Sequence, residues 1–102
     1  MRMCVQLLHN QDTRNSFFRG YQEGDPLVVV YDGEPNHFIP YREDLEVGLN
    51  YIYEANQHLF DTRPWNPEVR SLSVGDIIVL DGKAHAIQGV GFNHLTRFEI
   101  PA

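Results

Sequence analysis

The sequence predicts an α+β fold: a small, mainly antiparallel β-sheet of about five strands, with one principal α-helix at about residues 43–60 packed on one face. Three observations lead to this class. The apolar run 77–80 is followed by Asp81-Gly82 and a second strand-like run at 83–88, the strongest short-range signal for a β-hairpin. Residues 27–31 are rich in β-branched side chains, which favour a strand. Apolar residues recur at helical spacing between 43 and 60, so strands flank one helix and the helix is expected to cover one sheet face.

Length and composition set the broad class. A chain of 102 residues predicts a single domain with one core. The single cysteine, Cys4, leaves no possibility of an internal disulfide or a cysteine-rich zinc site. The first residues do not read as a signal peptide, and no apolar run approaches membrane-spanning length. We therefore expect no membrane association and a location in the cytoplasm of the cell that makes the protein.

The net charge of −6 is concentrated in the middle of the chain. Residues 23–46 hold seven carboxylates and one basic residue, Arg42. The charge of this stretch is therefore −6, the same as the net charge of the whole chain. A protein that binds duplex nucleic acid needs a basic face to neutralise phosphates, and the sequence offers none. The acidic stretch is interpreted as solvated carboxylates in preference to a surface for a basic partner.

The first part of the chain predicts a strand and then a connector. Residues 3–8 are short, apolar and followed by turn-forming residues, which predicts a buried strand. The connector at 10–25 has no sustained period and contains Phe17, Phe18 and Tyr21. These aromatic residues either fold back over the core or form an exposed contact surface, and the sequence leaves both possibilities open.

The run 27–31 is predicted to be a central strand that ends at the turn-forming pair Asp32-Gly33. Because Pro35 cannot donate a hydrogen bond to a sheet, a return strand through 37–39 should be short and lie at an edge.

The predicted helix at 43–60 begins with acidic residues, which the helix dipole favours. Gly48 within it marks a position of close packing against a strand. The following stretch, 61–69, contains two prolines and is predicted to be a loop, in which Trp65 caps the core in preference to binding a ligand.

A two-residue turn at Asp81-Gly82 fixes the register of the hairpin. The expected pairs are Leu80 with Lys83, Val79 with Ala84, Ile78 with His85 and Ile77 with Ala86. One face is then entirely apolar and carries small alanines, so we predict that the helix packs against Ile77, Val79, Ala84 and Ala86. The opposite, mixed face carries Asp76, Ile78, Leu80, Lys83, His85 and Ile87. We expect the aromatic connector or a partner to cover it partly, and any functional surface of the hairpin should lie there, at Asp76, Lys83 and His85.

Gly89 and Gly91, on either side of Val90, predict a bulge or a sharp bend after the hairpin. The alternation of apolar and polar residues over 95–100 predicts a half-buried terminal strand.

Residues 70–80 read RSLSVGDIIVL and are followed by a turn glycine, Gly82, and by Gly91-Phe92. With the preceding helix and proline-containing loop, this pattern over about residues 43–95 resembles the YodL-like domain of proteins from phages, plasmids and their hosts. Members of that family tend to carry aromatic residues in the second hairpin strand, where this chain has small residues beside His85. The resemblance implies a mobile-element origin, most simply a phage. The family has no assigned catalytic activity and no agreed binding residues, so the resemblance implies no site residues. A weaker, fold-level analogy is to the PUA and ASCH barrels, in which a Val-Gly-Asp turn also opens a strand.

No catalytic, metal or cofactor site emerges from the sequence. The five histidines do not occur in metal-binding spacings, and no cysteine or tight carboxylate set accompanies them. A set such as Ser73, His85 and Asp76 lacks the nucleophile elbow and oxyanion-hole glycines of a hydrolase. Ser71 and Ser73 are interpreted as turn residues.

The leading hypothesis is a small, non-catalytic binding protein, most simply phage-encoded, that contacts a host protein. The candidate binding residues are Phe17, Phe18, Tyr21, Trp65, Arg70, Asp76, Lys83 and His85. The alternative is a PUA-like or ASCH-like pocket for a nucleotide or single-stranded RNA, with His85, Trp65 and Phe92 as stacking groups and a convergent arginine such as Arg70. A small enzyme is the third possibility. A homodimer through a sheet edge or the mixed face is also possible.

Overall fold

The computed structural model describes residues 4–33, 45–57, 66 and 68–100. In this part of the chain, five antiparallel strands form one sheet in the order β2-β1-β3-β4-β5. The strands are β1 Val5–Asn10, β2 Leu27–Gly33, β3 Ile77–Leu80, β4 Lys83–Ile87 and β5 Phe92–Leu95, and the helices are α1 Thr13–Arg19 and α2 Leu45–Ala55. The predicted α+β class is confirmed. No helix among these residues is long and apolar enough to cross a bilayer.

The β3–β4 hairpin has the predicted register, from Ile77 opposite Ala86 to Leu80 opposite Lys83. Its turn places both Asp81 (φ 49°) and Gly82 (φ 83°) in the left-handed region, as a type I′ turn requires. Asp81 also ties the turn to the start of β1. Its N–H donates to the Cys4 carbonyl oxygen, and its carboxylate accepts the Cys4 N–H, each at 2.9 Å.

The prediction that α2 covers the alanine face of the hairpin is wrong. Helix α2 packs on the opposite face, where its Leu49 and Ile52 join the buried side chains of Ile78, Leu80 and Ile87. These large residues extend far enough to meet a helix, whereas alanines would leave a gap. The alanine face is covered instead by Tyr21 and Phe98, which lie outside the strands and pack on the buried cluster of Leu8, Ile77, Val79, Ala84 and Ala86. Leu27, Val29 and Leu95, on β2 and β5, extend the same apolar face of the sheet.

The strand at 27–31 is not central. Among the described residues, β2 pairs only with β1 and its side chains are half-buried or exposed, whereas all four residues of β3 are buried. β-branched residues favour a half-buried strand at any position in a sheet, so the composition of this run does not distinguish an edge strand from a central one. The Asn66 amide donates to the Val30 carbonyl oxygen at 2.6 Å. The predicted return strand at 37–39 lies outside the described residues.

Two other expectations need correction. The connector at 10–25 contains a helix, α1, that the sequence did not predict. The last strand is β5 at Phe92–Leu95 and not 95–100, because the chain turns at 88–91 and pairs immediately with β4. The predicted bend is present: the Gln88 N–H donates to the Gly91 carbonyl oxygen at 3.1 Å, and Gly91 has a φ of 75°.

Helix α2 confirms the predicted helix over Leu45–Ala55, and Gly48 is buried within it. The helix ends at Ala55, before the predicted end at about residue 60, and the N–H groups of Asn56 and Gln57 form a final turn by donating to the Tyr53 and Glu54 carbonyl oxygens. Residues 43–44, at the predicted start, and 58–60 lie outside the described residues, as does Trp65.

Candidate functional site

The carboxylate of Asp76, at the start of β3, is completely buried and fully engaged. Arg70 contacts both of its oxygens, at 2.6 and 2.8 Å, and the backbone N–H groups of Asn10 and Ser73 donate to it at 2.8 and 2.9 Å. A buried charge is tolerated only when it is paired and hydrogen-bonded in this way. Asp76 is therefore a structural residue, and the expectation that it contacts a partner directly does not fit its burial.

Asn10, at the end of β1, extends this network to a second ion pair. Its side-chain amide donates to Asp25 at 2.9 Å and to the Gly75 carbonyl oxygen at 3.3 Å. Asp25 in turn binds Arg19 through two hydrogen bonds, at 2.8 and 2.9 Å. The Arg19 guanidinium holds the pKa of the Asp25 carboxyl far below its usual value, and the Gln22 N–H and the Asn10 amide act in the same direction. The network joins the end of β1, the start of β3 and the segment that carries α1.

Helix α1 is anchored where Ser16 meets Gly75. Ser16 is 1% exposed, and a Cβ at Gly75 would lie only 2.6 Å from Ser16 Oγ and 3.1 Å from the Ser16 carbonyl oxygen. Glycine at position 75, in the left-handed region at φ 96°, is what allows the helix to approach the turn this closely.

Phe17 and Phe18 project away from this anchor. Successive helical residues are rotated by about 100°, so the two residues that follow Ser16 turn towards solvent. Their side chains are 58% and 85% exposed and contact each other edge to face, with ring centroids 5.4 Å apart. Tyr21 behaves differently: it is half-buried and packs edge to face against Phe98 at 6.0 Å. The structure thus divides the three aromatic residues between the two interpretations that the sequence left open.

The seven predicted binding residues that the structure describes do not form one surface. Phe17 and Phe18 lie together on α1. Arg70 and Asp76 form the ion pair at the start of β3, in which Asp76 is buried. Tyr21 packs on the alanine face of the sheet. Lys83 and His85 line a separate groove. Trp65 lies outside the described residues.

That groove runs between α2 and the β4–β5 pair and has a volume of about 690 Å³. Leu45, Glu46 and Leu49 line its helix side. Lys83, His85, Val90, Gly91, Phe92 and His94 line its sheet side. His85 and Phe92, two of the stacking groups of the nucleotide-pocket hypothesis, both line this groove, whereas Arg70 is not among its described lining residues. In its place the groove contains His94, whose position opposite His85 follows from the true register of β5.

The described residues contain no group of three histidine, cysteine or acidic side chains arranged to hold a metal ion. Each oxygen of Asp76 accepts hydrogen bonds from Arg70 and from a backbone N–H group, and His85 Nε2 has no hydrogen-bond partner, so Ser73, His85 and Asp76 are not joined as a catalytic triad.

Burial lowers the pKa values of two histidines. For His9 the desolvation is opposed by the Asp76 carboxylate and reinforced by Arg70; for His85 it is reinforced by His94 and Lys83. Because the folded state binds these protons more weakly than the unfolded state, the free energy of unfolding should fall as the pH drops below about 6.5, the ordinary imidazole value.

This pH dependence can be checked by NMR titration of the imidazole C–H resonances, together with urea unfolding at several pH values. We expect midpoints below 6.5 for both histidines and a loss of stability between about pH 7 and pH 5. Midpoints at or above 6.5 would contradict the burial of the two rings. The contribution of Asp25 has the same sign but is lost only at more acidic pH, below its ordinary value of about 4, since its folded pKa is depressed.

Comparison with known protein families, with characterised proteins and with solved structures finds no match to this chain. The resemblance of about residues 43–95 to the YodL-like domain therefore stays a prediction from the sequence.

Proposed function

We propose that the protein is a small, non-catalytic binding protein that contacts another protein through Phe17 and Phe18. The observation that carries the proposal is the exposure of two adjacent phenylalanine rings, 58% and 85%, on a helix that is anchored beneath them. Single exposed apolar residues are ordinary on protein surfaces, but a contiguous aromatic pair is typical of an interaction site. Large aromatic side chains that enter a partner's pocket contribute most of the binding energy of many interfaces.

The packing of the helix that carries Phe17 and Phe18 favours binding. Ser16 is packed against Gly75, and the Arg19–Asp25 ion pair holds the residue that follows the two phenylalanines. A contact surface that is already ordered loses less conformational entropy when a partner binds. The network that ends in Arg70 and Asp76 thus acts at a distance, by fixing the segment that presents the rings.

A host protein is the proposed partner. This choice of partner is supported by the sequence resemblance to a domain carried by phages and plasmids. Small proteins of such elements act inside the host cell, where the host's proteins are the targets at hand. In this proposal the protein acts in the cytoplasm of the host cell.

We expect the double variant Phe17→Ser/Phe18→Ser to lose partner binding by at least about tenfold, since two aromatic anchors are removed. Because both rings are largely exposed, the variant should remain folded, with a change of about 0.5 kcal/mol or less in the free energy of unfolding. The measurement is affinity capture from host lysate, followed by titration of the captured protein against each variant.

The matched control is Val28→Thr/Val47→Thr, which replaces two other exposed apolar residues on β2 and α2. It should bind as the wild type does. Equal capture by the phenylalanine variant and the control, or no stoichiometric partner from host lysate, would contradict the proposal. A concentration-dependent dimer that disappears only in the phenylalanine variant would identify a second copy of the chain as the partner instead.

A further inference from the structure

The groove between α2 and the β4–β5 pair contains an unsatisfied buried group. His85 is only 2% exposed, and its Nε2 atom has no hydrogen-bond partner. Among the described residues it is the single buried side-chain nitrogen or oxygen in this condition. Leaving such an atom unpaired is costly, so we expect a bound water or a ligand atom to pair with it.

The neighbouring His94 ring lies against the His85 ring and is free to move because it is exposed. It stacks on the His85 ring with centroids 5.1 Å apart and an angle of 27° between the planes, and it is itself exposed. Exposed side chains change rotamer within nanoseconds, so movement of the His94 ring gives a ligand access to His85.

The charges and walls of the groove define what would fit. Lys83 and His94 lie on the sheet side near His85, and Leu45, Leu49 and Phe92 supply apolar walls. Burial favours the neutral form of His85, whose tautomer protonated at Nε2 donates one hydrogen bond. Lys83 is the one lysine or arginine among the described lining residues, so the groove matches a ligand with a single negative charge.

We propose that this groove binds a small monocarboxylate with an apolar body, whose carboxylate accepts a hydrogen bond from His85 Nε2 and pairs with Lys83. The apolar body lies against Leu45, Leu49 and Phe92. This site is independent of the phenylalanine pair on α1, so either proposal can fail without the other.

The test is NMR titration of the full chain at pH 7 with benzoate, and with two probes of the same shape, uncharged benzamide and dianionic phenyl phosphate. Benzoate should produce saturable shifts in the imidazole resonances of His85 and His94, with a dissociation constant in the millimolar range. Benzamide should bind at least about tenfold more weakly because it lacks the charge that Lys83 and His85 recognise. Phenyl phosphate should bind more weakly than benzoate because Lys83 offsets only one of its two negative charges.

Two variants locate the site. His85→Phe keeps an aromatic ring but removes Nε2, and should weaken benzoate binding about tenfold. If that buried substitution unfolds the chain, the exposed Lys83→Met variant decides, with an expected loss of about threefold or more. Its control, Arg97→Met, removes the same charge from a residue that lines a different depression, beside Tyr21 and Phe98, and should leave the affinity within about twofold.

The proposal is overturned if benzoate gives no saturable shift, or if benzamide binds equally well. It is also overturned if Lys83→Met and Arg97→Met have the same effect. Binding of phenyl phosphate as tightly as benzoate would overturn the assignment of a monocarboxylate.

Discussion

Replacing Gly75 with alanine is expected to destabilise the protein by about 2–5 kcal/mol, a large part of the stability of an ordinary small domain. Two costs add. The left-handed backbone at φ 96° disfavours a residue with a Cβ by about 1–2 kcal/mol. The new methyl group would lie 2.6 Å from Ser16 Oγ, and forcing the helix and the turn apart costs about 1–3 kcal/mol more.

Gly82→Ala separates these costs. Gly82 has a similar φ of 83°, but nothing lies within 4 Å of the position of its Cβ, so only the backbone cost of about 1–2 kcal/mol should appear. Adding Ser16→Gly to Gly75→Ala should recover part of the loss by removing the hydroxymethyl group. Urea unfolding followed by circular dichroism measures all of these variants. Equal effects of Gly75→Ala and Gly82→Ala would contradict the close approach of α1 to the turn.

Replacing Asp76 with asparagine is expected to cost about 3 kcal/mol, a large effect for a change that keeps the size of the side chain. The amide has one acceptor oxygen where the carboxylate has two, so it cannot satisfy Arg70 and the N–H groups of Asn10 and Ser73 together. The Arg70 side chain is 36% exposed and can regain some water, which places the loss at the lower end of the range for broken buried pairs.

Asp32→Asn is the control for this change, because Asp32 is exposed on β2 and should be replaceable within about 0.5 kcal/mol. The Asp76→Asn effect should also persist at high salt, since buried pairs are screened much less than surface ones. A loss below about 1 kcal/mol, or one that disappears at high salt, would show that the Asp76 network does not hold the sheet and α1 together.

The parts of the fold that sequence predicted correctly are those determined by neighbouring residues. The hairpin register followed from the Asp81-Gly82 turn alone, and α2 followed from a local apolar period. The face that α2 covers was predicted wrongly because it depends on the volumes of side chains from β1, β3 and β4 together. Local pattern does not contain that information.

Helix α1 was missed for a related reason. Seven residues without an apolar period are too few to form a stable helix by propensity, so tertiary contacts at Ser16 and Arg19 must stabilise it. The polar network was equally hidden. Asn10 is 66 residues from Asp76 and 15 from Asp25 in the sequence, and no short motif links them.

The candidate site could be predicted only in its residue types. Phe17 and Phe18 were singled out as a possible contact surface, but their separation from Tyr21 required the position of α1. The sequence pattern does not indicate His94 as a site residue, because the alternation of apolar and polar residues predicts the last strand at 95–100. With β5 at Phe92–Leu95, pairing alone would have set it opposite His85.

The most direct test of the proposed function is photo-crosslinking in living host cells from a benzophenone amino acid placed at position 18, compared with the same group at position 47 on α2. Both positions are exposed, and they lie on different helices. We expect position 18 to give one discrete crosslinked protein, and we expect that protein to be absent from the products of position 47. The same pattern of products from both positions, or no product from position 18, would contradict a binding function carried by Phe17 and Phe18.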